Sequence, residues 1–245
     1  MIKLTLPTKP ERLSQEEAAL TQEFINSGKT KTVWKKDYIT QPLLEMSHGK
    51  CAYSEIKLNQ ESSYMEVEHF KHKNQYPQDV VNWTNLLPSC KKCNTTKGDL
   101  DVVANPIVNP VFDYPGDHLY VCAFRFYGKD TKGENTKDAV ALNDMEHFVI
   151  PRCKCAMYIV SSLEQNFELL KSADTPVKKA HRISALKSIF ESCGPHAEYS
   201  AVIATYLLYE WPDYGKIRKY LVDNGYWDDE FDRLISILKS IALPK

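Results

Sequence analysis

A chain of 245 residues, 43% hydrophobic and 26% charged, is long enough to bury a core and has the ordinary balance of a water-soluble globular protein. Its 31 basic and 32 acidic residues leave a net charge of −1, which argues against holding nucleic acid by bulk charge and leaves room for a local basic patch. The opening residues Met1 to Pro10 have no signal-peptide layout and no apolar run is long enough for a bilayer, so a cytoplasmic protein without membrane attachment is expected, its seven cysteines reduced.

The first element is a helix. Ser14 and Glu17 have capping-box spacing, Ala18, Leu20, Phe24 and Ile25 supply an apolar face, and Gly28 stands at the stop. A second helix is expected over 35–46 on Tyr38, Ile39, Leu43 and Leu44, with Gly49 beyond it. Residues 51–100 change texture to short β-like pieces, many polar residues and a Cys-x-x-Cys. The prolines of 105–110 favour an extended path. Val121 to Tyr127 reads as one strand, and Lys129 to Gly133 as the turn after it. From Asn143 onward the pattern is helical. Thr175-Pro176 is an N-cap pair, Pro195 and Asp213 start further helices, and Phe231, Leu234, Ile235, Leu238 and Ile241 share one face of the last. The expected organisation is a helical segment 1–50, a core of short β-like pieces 51–110 and a strand-plus-helical region 111–245 that docks a partner or substrate. The fold class is α+β, a small core in a mostly helical frame.

The chemistry concentrates in Glu66-Val67-Glu68-His69-Phe70, Trp83-Thr84-Asn85-Leu86-Leu87 and Cys90-Lys91-Lys92-Cys93-Asn94-Thr95-Thr96-Lys97. Phosphodiester hydrolysis needs an activated nucleophile and a hard cation against the phosphate charge. Hard cations take oxygen ligands, and Glu68 offers a carboxylate while Asn94 offers an amide oxygen. His69 has the ordinary pKa of a general base, and acts in its neutral form if a backbone carbonyl accepts the proton of the other ring nitrogen. Asn85, in a loop, is a source for that carbonyl and a side chain that holds the loop rigid. Neighbours on a strand face opposite ways, so convergence of Glu68 and His69 requires an irregular turn there. Lys91, Lys92 and Lys97 are candidate phosphate contacts, against the plainer reading of a solvated helix face. Glu66 reads as a solvated strand carboxylate. Cys122, Cys153, Cys155 and Cys193 read as ordinary thiols, and Tyr206, Tyr209, Trp211 and Tyr214 as core or partner surface.

This order of residues resembles the HNH endonucleases, whose centre is a β-hairpin and helix around one divalent metal. The resemblance implies His69 as general base, Asn85 as the structural asparagine, and Glu68 and Asn94 as ligands of Mg²⁺ or Mn²⁺. Cys51-Ala52-Tyr53-Ser54-Glu55 is similar to the Cys-x-Tyr-Cys-Glu stretch that opens many such domains. The Met1-Ile2-Lys3-Leu4 lead and the helical tail resemble the HNH subunit of Septu-type and retron-associated anti-phage systems. That likeness implies an ABC/SMC-like ATPase partner, in some systems a retron reverse transcriptase and its DNA, and a DNA or transfer-RNA substrate. Two departures stand out. Ser54 replaces a cysteine, so Cys51, Cys90 and Cys93 supply only three thiolates for a structural Zn²⁺, with His48 or His72 as candidates for the fourth ligand. His72 also stands where relatives often have proline. The competing readings are a catalytically silent zinc-ribbon-like interaction module and, more weakly, redox chemistry at Cys90 and Cys93.

Overall fold

The computed structural model describes residues 1–58 and 64–245. In chain order, the helices Glu11–Asn26 (α1) and Asp37–Met46 (α2) precede the strands Met65–His69 (β1) and Leu86–Cys90 (β2) and the helix Lys91–Lys97 (α3). There follow a four-residue helix Pro115–His118 (α4), strands Leu119–Cys122 (β3) and Arg125–Gly128 (β4), and helix Thr131–Ala139 (α5). The rest is helical: Ile150–Lys171 (α6), Pro176–Glu191 (α7), Ser200–Thr205 (α8), Asp213–Asp223 (α9) and Asp229–Ile241 (α10). A π-turn, Met145–Val149, leads into α6. The architecture is the expected α+β, two small two-stranded sheets in a mostly helical chain. No helix among the described residues is long and apolar enough to cross a membrane.

Two compact units form, 1–119 with 127–143, and 120–126 with 144–245. The sequence boundary at 110 therefore falls inside the first unit, which also takes in α5. That unit buries Leu13 and Phe24 of α1, Ile39 and Leu43 of α2, Tyr53, Val67, Leu86 and Leu87. Its N-terminal segment is sewn on by Leu4 N donating to the Pro110 carbonyl at 2.8 Å and Trp83 Nε1 to the Pro7 carbonyl at 2.8 Å. The 105–110 segment is neither helix nor strand, and Val108 N donates to the buried Thr136 hydroxyl of α5 at 2.7 Å. The second unit packs α6 on α7 and α10 on α7 and α8. The apolar face expected for α10 is buried in full. Arg152 of α6, wholly buried, lies 4.8 Å from the Phe126 ring centre and 5.5 Å from that of Phe148.

Several sequence expectations shift for local reasons. α1 begins before Ser14, whose hydroxyl donates back to the Pro10 carbonyl at 3.3 Å, so Ser14 and Glu17 form no capping box. Its buried face is Leu13, Leu20, Thr21 and Phe24, with Ala18 exposed. The strand expected over 121–127 is a hairpin. Ala123 and Phe124 both take positive φ, 46° and 65°, and the Glu210 carboxylate accepts from Ala123 N at 3.0 Å. Lys129 to Gly133 is not a free turn, because Asp130 caps α5 by accepting from Gly133 N at 2.8 Å. Pro195 starts no helix; α8 begins at Ser200 after Tyr199 in the left-handed region.

Two glycines give opposite tests of this packing. A Cβ on Gly133 would stand 1.9 Å from the His118 carbonyl oxygen, backbone that has nowhere to go. Gly133→Ala should therefore lose about 1–3 kcal/mol or more. Gly215, inside α9, has open space around its Cβ position. Gly215→Ala should gain roughly 0.5–1 kcal/mol. Thermal unfolding of the two variants against the parent reads both signs.

Candidate active site

β1 and β2 pair antiparallel with Met65 opposite Cys90, Val67 opposite Pro88 and His69 opposite Leu86. α3 follows β2 without a break and packs on both strands. The register is regular to the last pair, so no bulge brings Glu68 and His69 together. Four consecutive residues, Glu66 to His69, border one cleft of about 300 Å³. It therefore opens along the unpaired edge of β1, where both faces of the strand are within reach. Asn94 and Gly98 border the same cleft from α3 and its end.

His69 is buried, and its Nε2 stands 2.9 Å from the Val80 carbonyl oxygen. A carbonyl only accepts, so Nε2 carries the proton and Nδ1 keeps its lone pair. Burial and then the nearby Lys73 ammonium push the imidazole down to about 3, which keeps it neutral at physiological pH. The Trp34 ring meets it edge-on at 4.5 Å between centres. The accepting carbonyl comes from Val80 and not from Asn85. Asn85 acts on the loop: its Oδ1 accepts from Lys71 N at 2.7 Å, and its Nδ2 donates to the carbonyls of Lys71 at 3.1 Å and Asp79 at 3.0 Å. Its backbone carbonyl accepts from Phe70 N at 2.9 Å. The clamp thus ties the end of β1 to the residue before Val80.

Glu68 is 2% exposed, and the Lys97 ammonium lies 2.5 Å from its Oε1. Lys97 aligns its hydrogen bond on the His69 carbonyl instead, at 2.9 Å, so its contact with Glu68 is a charge pair and Oε1 receives no aligned donor. Burial raises the Glu68 carboxyl to about 7 against the pull of Lys97. Asn94 Nδ2 donates to Glu66 Oε2 at 2.5 Å. That bond turns the Asn94 amide oxygen away from Glu66, and it makes Glu66 part of the site where a solvated carboxylate was expected. Lys97 is turned inward and occupied, which corrects its reading as a phosphate contact; Lys91 and Lys92 do not border the cleft. The cations that do are Lys35 and Lys73, with Thr32, Trp34 and His72. Spacing gave no signal for Lys35 and Trp34, since they lie in an irregular connection between α1 and α2.

Behind the hairpin, the sulfur atoms of Cys51, Cys90 and Cys93 lie within 4.8 Å of one another, all buried. The cluster has the donors and spacing to hold a metal ion. The Ser54 hydroxyl is 3.7 Å from Cys90 Sγ, at the place of the missing thiol. Neither His48 nor His72 joins the cluster among the described residues, and His72 borders the cleft instead.

A hairpin followed by a short helix, with an imidazole, two carboxylates and an amide on one cleft and a buried three-thiol cluster, makes up a ββα unit. Over 241 residues, covering 96% of this chain and 93% of the relative, the sequence is 39% identical to the Septu protein PtuB of Bacillus thuringiensis. The chain belongs to the Septu PtuB family. It is also 28% identical over 146 residues to the Septu protein PtuB of Bacillus mycoides (strain KBAB4), covering 46% of this chain and 49% of that one. No family model matches the chain, and no solved structure matches it.

Asn85→Ala should remove the clamp and strand three backbone groups, at about 2–3 kcal/mol. Asn85→Asp should not restore it, because a carboxylate cannot donate to the Lys71 and Asp79 carbonyls. Melting temperatures of the two variants check this, both well below the parent.

Proposed function

We propose that this chain is a metal-dependent endonuclease of the HNH kind, hydrolysing phosphodiester bonds in nucleic acid, DNA or RNA such as transfer RNA. The observation that carries the reading is the His69 ring, its Nε2 proton held on the Val80 carbonyl, bordering a cleft that also presents Glu66, Glu68 and Asn94. His69 takes the proton of a water molecule, which attacks the phosphorus in line with the departing oxygen. Glu68 and Asn94 would hold the cation, and their fit is chemical: both are oxygen donors, and buried Glu68 Oε1 has no aligned hydrogen-bond donor of its own. Bound there, Mg²⁺ or Mn²⁺ supplies positive charge against the phosphate and leaving oxygen. Asn85 positions His69 through the loop, and Glu66 orients the Asn94 amide.

Cys51, Cys90 and Cys93, with the Ser54 hydroxyl beside them, would hold a Zn²⁺ ion, which would then staple the hairpin to the 51–55 segment. The name Septu PtuB on the similar proteins supports a role in bacterial anti-phage defence. In that role the chain is the effector and an ABC/SMC-like ATPase, PtuA-like, restrains or licenses it, in some systems with a retron reverse transcriptase and its DNA. The charge pair between Lys97 and Glu68 favours a second reading. If Lys97 already neutralises Glu68, the scaffold is a silent zinc-bearing interaction module.

Two experiments separate these readings. Labelled plasmid, single-stranded DNA and transfer RNA are incubated with the chain, alone and with its co-purified ATPase, in Mg²⁺, Mn²⁺ or EDTA. Cutting that needs the divalent ion and falls at least ~100-fold in His69→Ala, the range a general base contributes, supports the nuclease. Cutting that survives His69→Ala sinks the assignment. Elemental analysis of the purified chain should return one zinc per chain and none in Cys90→Ala. Chelation should lower the melting temperature of the parent, and an unchanged melt would contradict the staple.

A further inference from the structure

We infer that the cleft has a second wall that grips substrate: Lys35 and Lys73 hold backbone phosphates of a polynucleotide on either side of the bond to be cut. The inference rests on the hydrolytic reading of the cleft and adds residues that lie outside its motif.

The chain as a whole offers a polyanion nothing, at net charge −1. Affinity for a phosphate backbone must therefore be local. Of the lysines near the motif, Lys97 is spent inside the fold on Glu68 and the His69 carbonyl. Lys35 and Lys73 border the cleft, and among the described residues no carboxylate pairs with either. Lys35 is exposed and Lys73 half-buried, so both ammonium groups stay open to a phosphate that enters the cleft.

The segments that bear these lysines are held in place. Trp34 packs edge-on against Phe24 at 5.9 Å and His69 at 4.5 Å, and Val33 beside it is 2% exposed. Trp34 in turn carries the Lys73 ammonium 5.5 Å from its ring centre. The connection that bears Lys35 is closed by Lys36 N donating to the Trp34 carbonyl at 2.9 Å. Lys29 Nζ donates to the Asn74 carbonyl at 2.7 Å, which ties the same connection to the loop bearing Lys73. Packing and hydrogen bonds thus connect the general base to the backbone segments that carry both lysines. The oxygen donors Glu66, Glu68 and Asn94 border the same cleft, so a phosphate among them has neighbours along the strand within reach of the lysines.

The test is binding without chemistry. The full chain carrying His69→Ala, in buffer without added divalent ion, is titrated by fluorescence anisotropy against labelled single-stranded DNA, duplex DNA and transfer RNA across a salt series. Each phosphate contact adds about 0.7 (single strand) to 0.9 (duplex) to the slope of log affinity on log salt. Lys35→Gln with Lys73→Gln should flatten the slope by about 1.4 to 1.8 on the preferred nucleic acid. The paired Arg substitutions should restore it, and Lys154→Gln on exposed α6 should leave it unchanged. A double variant that keeps the parent slope overturns the wall, as does a parent that shows no salt-dependent binding. Neither result touches the hydrolytic reading, which stands or falls on cutting by the chain with His69 intact.

Discussion

The hydrogen bond from His69 Nε2 to the Val80 carbonyl is the contact on which the rest of the site depends. It decides which ring nitrogen has a lone pair, and so whether the imidazole can take a proton at all. The bond needs Val80 at one height above the end of β1, and the chain between them is an irregular run. Asn85 removes that freedom by tying three backbone groups of the run with one amide. An amide suits the task because it accepts one bond and donates two, whereas a carboxylate cannot donate and a hydroxyl has a single hydrogen to give.

Around this bond the charges are balanced by burial. Glu68 and Lys97 are both nearly inaccessible, and each would be costly alone. Paired, they let a carboxylate sit against the core at the mouth of a cleft. The pairing also gives the site two dispositions of charge. With Lys97 on Glu68 the carboxylate charge is balanced internally. On the proposed nuclease reading, a divalent ion would have to displace Lys97 from that oxygen, so the centre would be quiet at rest.

The hairpin-helix core and its polar set were legible because chemistry fixes residue types in order: Glu68-His69, then Asn85, then Cys90-x-x-Cys93-Asn94. The helix ends at Gly28, Gly49 and Gly225 were legible too, since all three take positive φ. The hairpin at Ala123 and Phe124 was not, because its left-handed turn is written without Gly or Asn and is held by the distant Glu210. Glu66 looked like an exposed carboxylate because its partner, Asn94, lies 28 residues away in sequence. Lys97 misled for the opposite reason. A lysine at the end of a short helix reads as solvated, and only the packing of α3 on β1 turns it inward.

The measurement closest to the central claim is the tautomer of His69, read by long-range proton–nitrogen correlation spectra of the chain with labelled histidine. The signal is identified by its loss in His69→Gln. The account predicts an imidazole protonated on Nε2 alone, neutral through the whole mildly acidic range in line with a value pushed down to about 3, and scrambled between tautomers in Asn85→Ala. A ring protonated on Nδ1, or one that titrates like an ordinary histidine, would contradict it.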